Sequence, residues 1–127
     1  MNAAVLIIED ETTLAKNMSL YLARYGYDVL TADTAESGLA ELERYKPDVV
    51  LLDFHLPGMD GMAALEKLHA IAPELPVIMI TGHGTVELAV EAMKAGVYDF
   101  LTKPVSLAKL RMLLDRAMSE SRKEEAL

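Results

Sequence analysis

Val49-Val50-Leu51-Leu52-Asp53 is an unbroken apolar run that ends in a carboxylate, and Val5-Leu6-Ile7-Ile8 repeats the arrangement ahead of Glu9 and Asp10. A run without polar alternation fits a strand covered on both faces, as strands are in parallel sheets. A third run, Val77-Ile78-Met79-Ile80, ends in Thr81, and a fourth strand-like segment, Val97 to Thr102, ends in Lys103-Pro104. Acids, a hydroxyl and an ammonium at successive strand ends suit a divalent metal and a phosphoryl group.

Helical patterns fill the intervals. Thr12 or Thr13 is placed to cap a helix carrying Leu14, Met18, Leu22 and Tyr25, stopped by Gly26. Asp28 to Ala32 reads as a short strand. Thr34 opens a second helix bearing Leu39 and Leu42, closed by Lys46-Pro47. Pro57-Gly58-Met59-Asp60-Gly61 has turn chemistry, with both glycines serving loop conformation. A third helix runs through Ala72, bounded by Pro73 and Pro76. Thr85 begins a fourth that ends at Gly96, and Ser106 begins a fifth with Leu107, Leu110, Leu114 and Ala117 on one stripe.

This alternation predicts an α/β fold, a doubly wound five-stranded parallel sheet with helices on both faces. Strands two and five carry polar residues and suit the edges, which together with right-handed crossovers gives the order 2-1-3-4-5. Chain direction across the sheet then reverses between strands one and three. Ligands bind beyond the carboxyl ends of the strands at such a point, where Asp10 and Asp53 stand.

Composition sets further bounds. A chain of 127 residues with 52% apolar content makes one domain, able to bury roughly two-thirds of its unfolded surface. A formal charge of -8 argues against direct nucleic-acid binding by this segment. The absence of cysteine excludes disulfides and thiolate metal sites. The apolar stretch from Ala3 to Ile8 lacks a basic flank and is too short for a signal peptide or a membrane span, so a cytoplasmic location is expected. The eight methionines are expected in the core or as adaptable contacts. His55, His69 and His83 lack metal-ligand spacing, and His69 is expected at the surface. Residues 1-118 form the domain, and 119-127 have the composition of a solvated helical extension or the start of a linker.

The segments Val5 to Glu11, Leu51 to Gly61, Ile80-Thr81-Gly82 and Phe100 to Pro104 together resemble response-regulator receiver domains of two-component signalling, a flavodoxin-like (CheY-like) fold. The resemblance covers essentially the whole chain. It implies Mg²⁺ (or Mn²⁺) bound by Asp10, Asp53 and the backbone carbonyl of His55, with Glu9 acting directly or through water. Family members more often carry Asp where Glu9 stands. Asp53 is the implied phosphoacceptor, taking a phosphoryl group from a sensor histidine kinase, while Lys103, Thr81 and the backbone N–H of Gly82 contact its oxygens. Pro104 resembles the family's cis-proline. Thr81 and Phe100 match the switch pair that reshapes helix four, strand five and helix five. On this reading the protein is a signalling domain with intrinsic autophosphorylation and autodephosphorylation. His55 and His83 flank the path of the hydrolytic water, where an imidazole can order that water or hold the phosphoryl group.

Within the family, Ile80 to Gly84 and Gly96 to Pro104 look most like the nitrogen-regulation class, whose receivers precede a sigma-54-activating ATPase and a DNA-binding domain. The expected partners are therefore a sensor kinase and a C-terminal output domain or downstream effector, with a phosphorylation-dependent homodimer as a further expectation. A stand-alone chemotaxis-type receiver is the alternative. A haloacid-dehalogenase-like Mg²⁺ phosphatase also uses an Asp nucleophile, but Asp53-Phe54-His55 lacks the second acid of its Asp-x-Asp pattern. A flavodoxin-like cofactor binder would need a glycine- and hydroxyl-rich loop where Glu9-Asp10-Glu11 repels phosphate.

Overall fold

The computed structural model describes residues 2–82 and 84–126, with side chains as far as Ser121, so His83 lies outside the described residues. Among them, strands β1 (Ala4–Ile8), β2 (Asp28–Ala32), β3 (Val49–Asp53), β4 (Val77–Thr81) and β5 (Asp99–Thr102) alternate with helices α1 (Thr12–Arg24), α2 (Ala35–Tyr45), α3 (Gly61–Ile71), α4 (Val86–Lys94) and α5 (Leu107–Ala126). Every strand pair is parallel and the order is β2-β1-β3-β4-β5, as the sequence predicts.

Side chains alternate across each strand and so divide the core in two. Val5, Ile7, Leu51, Ile78 and Ile80 pack with Met18 and Leu22 of α1 and with Leu110 and Leu114 of α5. Leu6, Ile8, Leu52 and Met79 face Leu42 of α2, Leu65 and Leu68 of α3 and Ala92 of α4. Both faces of β1, β3 and β4 are thereby covered, which is why their sequences do not alternate. Each fully buried leucine or isoleucine stabilises the fold by about 1.5–3 kcal/mol relative to exposure.

The helix starts at Thr34, Thr85 and Ser106 are borne out. Thr34 Oγ1 accepts a hydrogen bond from the Ser37 N–H at 3.0 Å, Thr85 Oγ1 from Leu88 at 3.0 Å, and Ser106 Oγ from Lys109 at 3.2 Å. The start of α1 differs from expectation: Glu11 occupies the N-cap and no side chain caps the helix. Tyr25 also leaves the apolar stripe. It lies half-exposed, with the Arg111 guanidinium carbon 3.9 Å from its ring centroid.

β5 begins two residues later than the apolar pattern predicts, because the Val97 N–H returns to the Ala92 carbonyl at 3.1 Å and closes α4 instead. His69 is half-buried rather than at the surface, with Nε2 3.2 Å from the Leu75 carbonyl oxygen. Gly58 has φ +89°, the conformational role expected of it. Gly61 has a packing role instead: a Cβ there would lie 2.5 Å from Phe54 Cγ and 2.8 Å from Phe54 Cα. The start of α3 is thereby seated against the residue that follows Asp53.

Candidate functional site

Ile8 of β1 lies opposite Leu52 of β3, so the residues that follow emerge side by side at the carboxyl rim of the sheet. Glu9 is held there by its N–H, which donates to the Ala32 carbonyl of β2 at 3.0 Å. Its side chain is turned inward and Asp10 is exposed. Asp53, the last residue of β3, is 1% exposed, and its Oδ1 accepts the His55 backbone N–H at 2.8 Å. Carboxylate oxygens of Glu9, Asp10 and Asp53 all lie within 4.8 Å of one another.

Lys103 enters from the far side of the sheet. Its backbone N–H donates to the Thr81 carbonyl at 2.9 Å, which fixes the end of β5 against β4. The ammonium then reaches three acids: Asp53 Oδ2 at 3.1 Å, Glu9 Oε2 at 3.4 Å and Glu11 Oε2 at 2.8 Å. Glu9 Oε1 is also 3.2 Å from Nζ, but the angle leaves this buried oxygen without a hydrogen bond. The Lys103-Pro104 peptide is cis, as the resemblance implies.

These contacts set the charge states. Burial pushes Glu9 up to about 7, helped by its hydrogen bond to Asp53 and opposed by the Glu11 N–H and Lys103. Burial also pushes Asp53 upward, yet hydrogen bonds from Glu9, from the His55 N–H and from Lys103 outweigh it and hold Asp53 below the usual carboxylate range. Burial works against the Lys103 ammonium, but its bonds to Glu11, Asp53 and Glu9 raise it above the ordinary lysine range.

Thr81 ends β4 with no solvent exposure, and its Oγ1 is 2.9 Å from His55 Nε2. Gly82 follows, lying beside the Lys103 stem: a Cβ there would be 3.9 Å from Lys103 Cδ. Phe100 pairs in register with Met79 and is half-buried against the core under α2, α3 and α4. The strand order thus brings Glu9, Asp10, Asp53, His55, Thr81 and Lys103 to one rim, while Phe100 stands apart along β5. Sequence reasoning assigned no role to Glu11, whose ion pair with Lys103 spans 92 residues and leaves no local signal.

The donors fit a hard divalent cation. They are carboxylate oxygens, one is buried without a hydrogen bond, and exposed Asp10 leaves the cluster open to solvent, as suits Mg²⁺ with its retained waters.

An acid cluster at the switch point of a doubly wound parallel sheet, reached by a lysine from the end of the last strand, is the arrangement of a receiver-type signalling domain. The chain belongs to the response regulator receiver domain family, which it matches over residues 5–115. It is 39% identical over 119 residues to the transcriptional regulatory protein GlrR of Escherichia coli K12, covering 94% of this chain and 27% of that protein. It is 38% identical over 120 residues to the nitrogen assimilation regulatory protein NtrX of Azorhizobium caulinodans, covering 93% of this chain and 26% of NtrX. The chain therefore spans about a quarter of the length of these relatives. Among solved structures, a receiver domain protein from Methanospirillum hungatei JF-1 matches with a TM-score of 0.92 and 33% identity, covering 98% of this chain and 99% of that one. The receiver domain of NtrX from Brucella abortus matches with a TM-score of 0.85 and 38% identity, covering 91% and 98%. The nitrogen-regulation resemblance agrees with these relatives.

Proposed function

We propose that the domain accepts a phosphoryl group on Asp53 from a phosphohistidine of a sensor kinase. A carboxylate oxygen of Asp53 forms the new O–P bond as the P–N bond to the donor imidazole breaks, and the imidazole leaves with its electron pair and takes a proton. The observation that carries this reading is the 3.1 Å contact between Lys103 Nζ and Asp53 Oδ2, made between residues at the ends of different strands. It adds to the Glu9 and His55 N–H bonds that hold Asp53 low and supplies positive charge for the phosphoryl oxygens.

Asp10, Asp53 and Glu9, with the His55 carbonyl, would hold Mg²⁺ or Mn²⁺. The bound ion would supply charge neutralisation at the phosphoryl oxygens. Thr81 and the Gly82 N–H donate to those oxygens, and Thr81 and Phe100 convey the change to α4, β5 and α5. The same site carries slow autophosphorylation from small donors and autodephosphorylation.

Residues 1–118 form the receiver unit in this reading, because Ala117 and Met118 are the last buried positions of α5 among the residues whose side chains are described. Residues 119–127 lead toward an output domain. The regulatory names of the relatives support such an output. By the resemblance to the nitrogen-regulation class, the output activates sigma-54 polymerase in a cytoplasmic regulator that dimerises on phosphorylation. No helix among the described residues is long and apolar enough to cross a membrane.

Mass spectrometry after incubation with Mg²⁺ and acetyl phosphate tests the proposal. One base-labile phosphoryl group is expected on the wild type and none on Asp53→Asn. Equal labelling of both proteins would overturn the assignment.

A further inference from the structure

His55 makes two contacts in one turn of chain. Its backbone N–H donates to Asp53 Oδ1 at 2.8 Å, and its ring Nε2 lies 2.9 Å from Thr81 Oγ1. The backbone contact belongs to the turn that follows β3, where an acid accepting the N–H two residues on is an ordinary Asx-type arrangement. The ring contact is not required by that turn. It joins an exposed side chain of the β3–α3 loop to a fully buried hydroxyl at the end of the neighbouring strand.

We propose that His55 is a positioning residue that presets the rotamer of Thr81 before any phosphoryl group arrives. Threonine is branched at Cβ, so its hydroxyl has a few discrete χ1 positions, and a hydrogen bond selects among them. The imidazole holds the hydroxyl toward the β3–α3 loop, the loop whose first turn carries Asp53 and its N–H partner. Either ring tautomer fixes the rotamer, but only the Nε2–H form, which donates to the hydroxyl oxygen, leaves the Thr81 proton free for a phosphoryl oxygen.

A hydroxyl already confined to one χ1 position has less conformational entropy to lose when it binds a phosphoryl oxygen from that position. The energetic consequence is a shift in the resting population rather than a new contact in the product. A ligand that favours one of two states binds more weakly when the fraction in that state falls. The role in switching rests on the proposed acceptance of a phosphoryl group by Asp53, whereas the preset rotamer of Thr81 does not.

The test separates the two. Three-bond couplings to the Thr81 Cγ2 methyl, measured by NMR on the metal-free, unphosphorylated chain, report χ1 directly. Wild type is expected in a single rotamer, His55→Ala and His55→Phe with rotamer populations shifted away from it, and His55→Gln, whose amide keeps a hydrogen-bonding group, returned to the wild-type couplings. Beryllofluoride with Mg²⁺, titrated into the same proteins, is expected to bind several-fold more weakly to the Ala and Phe variants and near wild type to Gln. Unchanged couplings in His55→Ala would overturn the proposal. So would wild-type couplings in His55→Phe, which would mean that ring packing and not the hydrogen bond sets χ1. Absence of beryllofluoride binding in wild type would strike at the phosphoacceptor reading and leave the coupling result standing.

Discussion

The proton held by Glu9 competes with a divalent cation, and the competition has a size. Glu9 is pushed up to about 7, so well above that pH it is ionised and below it Glu9 must lose a proton to bind the metal. For a group titrating near 7, the ionised fraction changes about tenfold between pH 6 and pH 8. Mg²⁺ affinity is therefore expected to be about tenfold weaker at pH 6 than at pH 8. Asp53, held below the usual carboxylate range, has finished titrating by then and adds nothing to the slope.

Isothermal titration calorimetry in buffers of different ionisation enthalpy measures both the affinity and the protons released. Release close to one proton is expected at pH 6 and close to none at pH 8, and Glu9→Gln should flatten both. Equal affinity at pH 6 and pH 8 with no proton release would refute the reasoning. The same group governs stability without metal. A carboxyl raised in the folded state favours folding while protonated, so its contribution is present near pH 4.5 and is lost as pH rises through about 7. The limit for this change is about 3 kcal/mol. Urea unfolding midpoints of the metal-free protein should fall across that window and recover when Mg²⁺ is added.

Lys103→Met leaves Glu9, Glu11 and Asp53 without their shared cation, and a loss of about 1–3 kcal/mol at pH 8 is expected from metal-free urea unfolding. Gly61→Ala drives a methyl into Phe54 and should cost about 1–3 kcal/mol, with an unchanged unfolding midpoint counting against the contact. Thr34→Ala removes the cap of α2 and should cost about 1 kcal/mol by the same assay. Thr81→Ala should bind beryllofluoride yet lose most of the amide shift changes across residues 85–118, and a full wild-type pattern would exclude Thr81 as the coupling residue.

The sheet was legible because β1, β3 and β4 are buried on both faces, which leaves no room for polar residues in their runs. Strand order followed from the polar content of β2 and β5, and the site followed from strand order. Local rules failed where a distant partner decides the outcome. Glu11 takes the cap position that Thr12 or Thr13 was expected to hold, and its carboxylate goes to Lys103. Tyr25 fits the α1 stripe by spacing, but it packs under Arg111 of α5. Val97 continues the apolar pattern of β5 while its amide serves α4. The contact between His55 and Thr81 crosses 26 residues and depends on which side of the sheet the β3–α3 loop folds over. None of these distances is written in a periodicity.

Lys103 lies at the end of the last strand, whereas the acids it neutralises stand at the ends of the first and third. During synthesis from the N-terminus, Glu9, Asp10, Glu11 and Asp53 therefore leave the ribosome well before their cation does. Until β5 arrives, any native-like meeting of β1 and β3 gathers like charges without a counter-charge, and the first pairing of the sheet is opposed by the residues that later form its site. Mg²⁺ in the surrounding solution is the available substitute. Nascent chains stalled before residue 103 should thus gain protease resistance with millimolar Mg²⁺, and chains carrying Asp53→Asn should need less of it.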